Sequence, residues 1–133
     1  MNNYVSIFFL LILIFGFLIV EDYGISMDEP IERKHGIVAF DYVNEKLGLF
    51  PSIPKGTEIN LVNYDHRDYG LIFQFSAYSL ELLFNIDNSR DVFLLRHFLV
   101  FLLFWVSLIF FHKIIEMRFK DWKIGLLGVV FSY

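Results

Sequence analysis

The chain has 133 residues, 56% hydrophobic and 20% aromatic, with seventeen Phe and no Cys. A soluble domain is nearer ~45–50% apolar, and without Cys no disulfide or thiolate metal site can form. The formal charge of −4 lacks the basic footprint of a nucleic-acid binder, so that class is excluded.

Residues 4–20, YVSIFFLLILIFGFLIV, carry no charge, and a stretch of about 17–25 such residues spans a bilayer. A cleaved signal peptide wants a basic start and a small-x-small cleavage site. Met1-Asn2-Asn3 has no Lys or Arg, and Phe17-Leu18-Ile19-Val20 is bulky, so the expectation is an uncleaved first span. Residues 21–91 form a loop with 13 acids and 6 Lys/Arg, too rich in apolar residues to be disordered. It opens on EDYGISMDEP, with Glu21, Asp22, Asp28 and Glu29 where the chain leaves the apolar run.

Two helices are expected inside this loop. The first covers about 28–47. Ser26 and Glu29 have the spacing of a capping box, and Pro30 falls in the first turn, where its missing N–H costs little. Ile31, His35, Val38 and Tyr42 share one face, while Glu32, Arg33, Asp41 and Glu45 lie off it, as in a helix along a membrane surface. Pro51, Pro54 and Gly56 mark a linker. After the polar turn Asn63–Gly70, a second helix over about 68–84 is apolar on most sides, interrupted by Gln74, Ser76, Ser79 and Glu81.

Residues 92–111 are the expected second span, with Arg96 and His97 a turn inside its outer end. A basic loop, 112–123, follows; His112 beside Lys113 reads as an interface residue. Residues 124–133 begin a third apolar run that stops short of a crossing, as if the sequence ended inside a third span. Lys113, Arg118, Lys120 and Lys123 put the short loop on the cytoplasmic side. The N-terminus is then cytoplasmic and the long loop external. The fold class is therefore all-α, a multi-pass membrane protein, in the plasma (inner) membrane if the source is prokaryotic.

Three groups could carry chemistry. Asp28 reads as a general base at the bilayer surface, with Glu29 as its orienting partner; helix capping accounts for the same two residues. Asp65, His66, Asp68 and Tyr69 combine polar and aromatic groups suited to binding a sugar or acceptor, or form a solvated turn that caps the next helix through Asp68. Arg96 and His97 could grip a lipid phosphate, or Arg96 could snorkel to the headgroups. His35, His66, His97 and His112 lack metal-ligand spacing.

The order of these features resembles the N-terminal part of the GT-C membrane glycosyltransferases. One span, then DYGISMDEP, an amphipathic helix, YDHRDYGLIFQ and LLRHFLVFLLFW are similar to the protein O-mannosyltransferase and aminoarabinose transferase branches. The resemblance implies a polyprenyl- or dolichyl-phosphate sugar donor and inverting transfer to a hydroxyl on a protein, lipid or glycan outside the cytoplasm. It implies that Asp28 is the essential loop acid, Glu29 its neighbour, and Arg96-His97 the basic pair opening the second span. Some relatives use a divalent metal at the loop acids and others none, so the cofactor stays open. The family carries further spans, so this segment alone is not expected to catalyse. The alternative is a small non-catalytic membrane protein whose external loop binds a partner or solute.

Overall fold

The computed structural model describes residues 3–132. Among them every regular element is helical: α1 (Asn3–Ile19), α2 (Glu29–Leu47), α3 (Leu71–Leu83), α4 (Ser89–Phe119) and α5 (Trp122–Phe131), with single 3-10 turns at Val20–Asp22 and Leu61–Asn63. The chain divides into two compact units, Met1–Tyr23 with His97–Tyr133, and Gly24–Arg96.

In the first unit, Val5, Phe9, Leu108 and Val129 form a small core, flanked by Trp105, Trp122 and Leu126. Two polar contacts fix the register. Trp105 Nε1 donates to the Phe9 carbonyl at 2.8 Å, and His112 Nε2 lies 3.3 Å from the Trp122 carbonyl. Gly16 lets α1 approach α4, because a Cβ there would fall 1.8 Å from the Phe101 ring. Outside this seam the apolar side chains face outward: Phe15, Leu18, Leu103 and Phe110 are exposed.

Two helical stretches are long and apolar enough to cross a membrane: Asn3–Asp22, of 20 residues and mean hydropathy 2.6, and Ser89–Phe119, of 31 residues and mean hydropathy 2.3. Only 22% and 11% of their most apolar windows are buried inside the structure, whereas a core helix of a soluble domain hides such surface.

The second unit is built on α2 against α3. Pro30 sits in the first turn of α2, and Gly48, at φ 61°, ends it in the left-handed region. Val38, Ala39, Phe40, Ala77 and Tyr78 are buried. At Gly36 the backbones meet: a Cβ there would lie 2.3 Å from the Gln74 carbonyl oxygen. The linker is pinned back onto α2. Asp41 Oδ2 accepts from the Thr57 N–H at 2.9 Å, and the Asn44 amide exchanges two hydrogen bonds with the Phe50 backbone, of 2.7 and 3.0 Å.

Several expectations need correction. Half of the expected capping box forms, Glu29 accepting from the Ser26 N–H, but the residue at the cap position of α2 is Asp28. Helix α3 begins at Leu71, with Gly70 at its cap, so Asp68 caps nothing. The apolar stripe of α2 holds only in part. His35 and Val38 are buried but Ile31 is exposed, and Asp41, placed off the stripe, is buried. Helix α4 runs through most of the expected 112–123 loop. The break is confined to Lys120, at φ 55°, and Asp121, which caps α5 by accepting from the Lys123 N–H at 2.8 Å. His112 is 1% exposed rather than an interface residue. The last residue of the expected third span, Tyr133, lies outside the described residues.

Candidate functional site

Asp28 stands at the start of α2. Its backbone carbonyl accepts from Ile31 and Glu32 N–H at 3.0 and 2.9 Å. Its carboxylate makes no cap hydrogen bond and is exposed. Glu29 reaches back instead, its Oε1 accepting from the Ser26 N–H at 3.1 Å. The capping bond thus falls on Glu29, and the Asp28 carboxylate is left facing outward.

One turn further on, α2 is clamped to α3 and the start of α4 by a buried ionic network. Glu81, 1% exposed, receives the Arg33 Nε–H on Oε2 at 2.9 Å and the Arg96 Nε–H on Oε1 at 2.9 Å. Arg96 Nη2 lies 2.9 Å from that same Oε1 as an ion-pair contact. Arg96 Nη1 also donates to Gln74 Oε1, while Gln74 Nε2 donates to Glu32 Oε2 at 2.9 Å. A carboxylate this deep persists only when paired, and here two guanidiniums answer it.

Arg96 is therefore neither snorkelling nor open to a phosphate: it is 4% exposed and engaged with Glu81 and Gln74. His97 belongs to the other unit, where its ring meets Tyr23 at 6.1 Å, nearly edge-on.

The third group splits. Asp65 and Asp68 are exposed on the turn, Asp68 lying 3.8 Å from Arg67 in a solvent-facing ion pair. His66 and Tyr69 are exposed as well, but their rings reach α2. Their rings lie 5.3 and 5.9 Å from that of His35, and Tyr64 adds a fourth ring 5.5 Å from His35. The turn thus meets α2 at His35, about two helical turns beyond Asp28, and not at the acidic pair. His35 is 6% exposed, and its Nε2 is buried without a hydrogen-bond partner. Burial, then His66, hold its pKa below the ordinary 6.5, against an upward pull from Glu32. Burial, then Asp65, push the Tyr64 hydroxyl up.

The sequence reading missed Gln74 and Glu81 as interior groups and half-buried Arg33 as a partner of Glu81. A signal existed in α3: Gln74, Ala77, Tyr78 and Glu81 fall at i, i+3, i+4 and i+7, a core stripe with polar ends. Nothing local announced that Arg96 would answer it.

Among the described residues no three His, Asp or Glu side chains converge where a metal could be held. The acidic pair has no third ligand here, so the residues present do not make a metal site. The second unit also carries an open apolar groove of about 690 Å³, lined by Phe40, Phe50, Phe75, Leu80 and Leu83. Ser76 and Ser79 line it too, but their hydroxyls bond back to the Ile72 and Phe75 carbonyls, each at 2.8 Å. Compared with protein-family models, curated proteins and solved structures, the chain matches none.

Proposed function

We propose that the chain is the membrane-borne acidic-loop region of a GT-C-type glycosyltransferase. Helices α1 and α4 cross the bilayer, with the N-terminus cytoplasmic and residues 21–91 outside. The donor is a polyprenyl- or dolichyl-phosphate sugar and the acceptor a hydroxyl on a protein, lipid or glycan. Asp28 is the base. Its carboxylate takes the acceptor hydroxyl proton as that oxygen attacks the anomeric carbon from the face opposite the lipid phosphate. The carbon–oxygen bond to the phosphate breaks, the phosphate leaves with the electron pair, and the configuration inverts. Glu29 orients the loop, and His66 and Tyr69 line the acceptor side.

The observation that supports this reading is the exposed Asp28 carboxylate at the start of a clamped helix, unused by the cap. The test is transfer of a radiolabelled sugar from polyprenyl phosphate in membranes carrying the full-length enzyme of which this segment would be part. Asp28→Asn is expected to lower transfer by roughly 10²–10⁴-fold, the usual worth of a general base. Wild-type turnover by that variant removes Asp28 from the mechanism.

A second reading is a non-catalytic membrane protein whose external loop binds a partner or solute. The engagement of Arg96 in the fold supports it, since that guanidinium is not open to a donor phosphate. On that reading no transfer is detected with either protein, and Asp28→Asn changes nothing beyond helix stability.

A further inference from the structure

We infer that His35 is the positioning residue that docks the 64–70 turn onto α2, and that it does so only as a neutral imidazole, so the turn opens on acidification. This rests on the reading above only in the role given to His66 and Tyr69. The docking itself is independent of any transfer.

The argument starts from the unpartnered Nε2. A neutral imidazole can leave one nitrogen as a bare acceptor, and a buried acceptor without a partner costs far less than a buried cation. Protonation would turn that atom into a charged donor with no acceptor to receive it.

The surroundings give little relief. From the turn, the rings facing His35 are Tyr64, His66 and Tyr69, at 5.3 to 5.9 Å. The His66 ring works against a proton on His35. From α2, the nearby carboxylate is Glu32, already held by the Gln74 amide of α3. The tyrosine faces offer a protonated ring some cation–π attraction, which moderates the effect without reversing its sign.

Other polar groups of the turn are engaged away from the helix. Arg67 donates within the turn itself, to the Val62 carbonyl, and Asp65 and Asp68 face solvent. The rings of the turn meet the helix at His35, and a charged ring there is released by letting the turn swing away.

The sign follows from linkage. The docked state binds the His35 proton more weakly than the open state, whose imidazole titrates near 6.5. Docking is thus fully supported above that pH and weakens as pH falls below it. One proton taken up on opening raises the open fraction by up to about tenfold per pH unit.

The experiment is amide hydrogen exchange of the whole chain in nanodiscs from pH 7.5 to 4.5, corrected for the intrinsic pH dependence of exchange and read on peptides covering 61–70. In the wild type, protection of these peptides is expected to fall by up to about tenfold per pH unit below 6.5, while α3 stays protected. His35→Phe keeps a ring but cannot take a proton, so its turn is expected to stay closed across the range. His35→Gln, also unable to titrate, serves if the Phe variant misfolds. His66→Gln removes the neighbouring charge and eases protonation of His35 in the docked state, so the transition should persist but move to lower pH and lose amplitude. A flat wild-type profile overturns the inference, as does an unchanged transition in the non-titrating His35 variants. So does its loss in His66→Gln alone, which would make His66 the sensor.

Discussion

Glu81→Ala isolates what the buried network contributes. The substitution removes the carboxylate paired with Arg96, a residue 4% exposed that cannot recover its water without opening the helix packing. Breaking a buried pair from one side costs about 3–5 kcal/mol. The freed Arg33 adds little, because its side chain is already 35% exposed and rehydrates in place. The opening free energy of α3 should fall by that amount, so exchange of the Leu71–Leu83 amides should quicken roughly 10²–10⁴-fold at ~1.4 kcal/mol per decade. Exchange is the right assay because the two units need not unfold together, and a whole-chain melt would mix them. The double variant Glu81→Leu with Arg96→Met removes both charges and should recover most of the loss, as apolar replacement of buried ion pairs commonly does. An acceleration below tenfold in Glu81→Ala would refute the reasoning, and so would a double variant as unstable as the single one.

Gly36→Ala should be among the worst small substitutions in the second unit. Its Cβ would stand 2.3 Å from the Gln74 carbonyl oxygen and 2.8 Å from its carbon. Backbone cannot swing aside, so a loss of at least about 1–3 kcal/mol is expected in denaturant titration. Gly48→Ala meets no atom within 4 Å but holds φ at 61°, so it should cost about 1–2 kcal/mol from backbone strain alone. Gly70→Ala, equally open and at φ −58°, should be neutral or stabilising by up to ~1 kcal/mol in the same titration. In the first unit, Trp105→Phe keeps the ring but loses the bond to the Phe9 carbonyl. A loss of about 0.5–1.5 kcal/mol is expected, read from exchange of the α1 amides.

The elements were legible where one period dominated. Two apolar runs, the second broken by Arg96 and His97 near its start, announced α1 and α4. Pro30 and Gly48 bracketed α2, because each has a backbone preference that acts locally. The failures fall where a long-range partner decides. Basic residues after Phe111 read as a loop, yet Lys113, Glu116 and Arg118 are good helix formers and α4 continues until Lys120 adopts a positive φ. Gln74 and Glu81 read as interruptions of an apolar helix because their partners, Glu32, Arg33 and Arg96, lie 15 to 48 residues away. The candidate site divides the same way. The acidic pair at the start of α2 was visible locally. That His35 would become the meeting point for His66 and Tyr69 depended on how the linker folds back.

Whether Asp28 is a cap or a free carboxylate can be decided without any activity. A side chain that bonds an N-terminal N–H is worth about 0.5–2 kcal/mol on replacement by Ala, and salt does not remove that loss. Asp28 makes no such bond. Its remaining contribution to stability is attraction to the positive end of the helix, about 0.3–1 kcal/mol and screened by salt. Asp28→Ala should therefore destabilise α2 slightly in dilute buffer and hardly at all at high ionic strength, as read by exchange of its first-turn amides. Glu29→Ala should lose its hydrogen bond to Ser26 at any salt concentration. Arg33, Glu32 and His35 hold the following turns of α2 to its neighbours, so neither change should unravel the helix. A salt-independent loss above ~1 kcal/mol in Asp28→Ala would show that the carboxylate is spent on the fold, and the general-base assignment would lose its support. A loss that vanishes with salt leaves a carboxylate fixed in place by others and unused by the fold, as a positioned base requires.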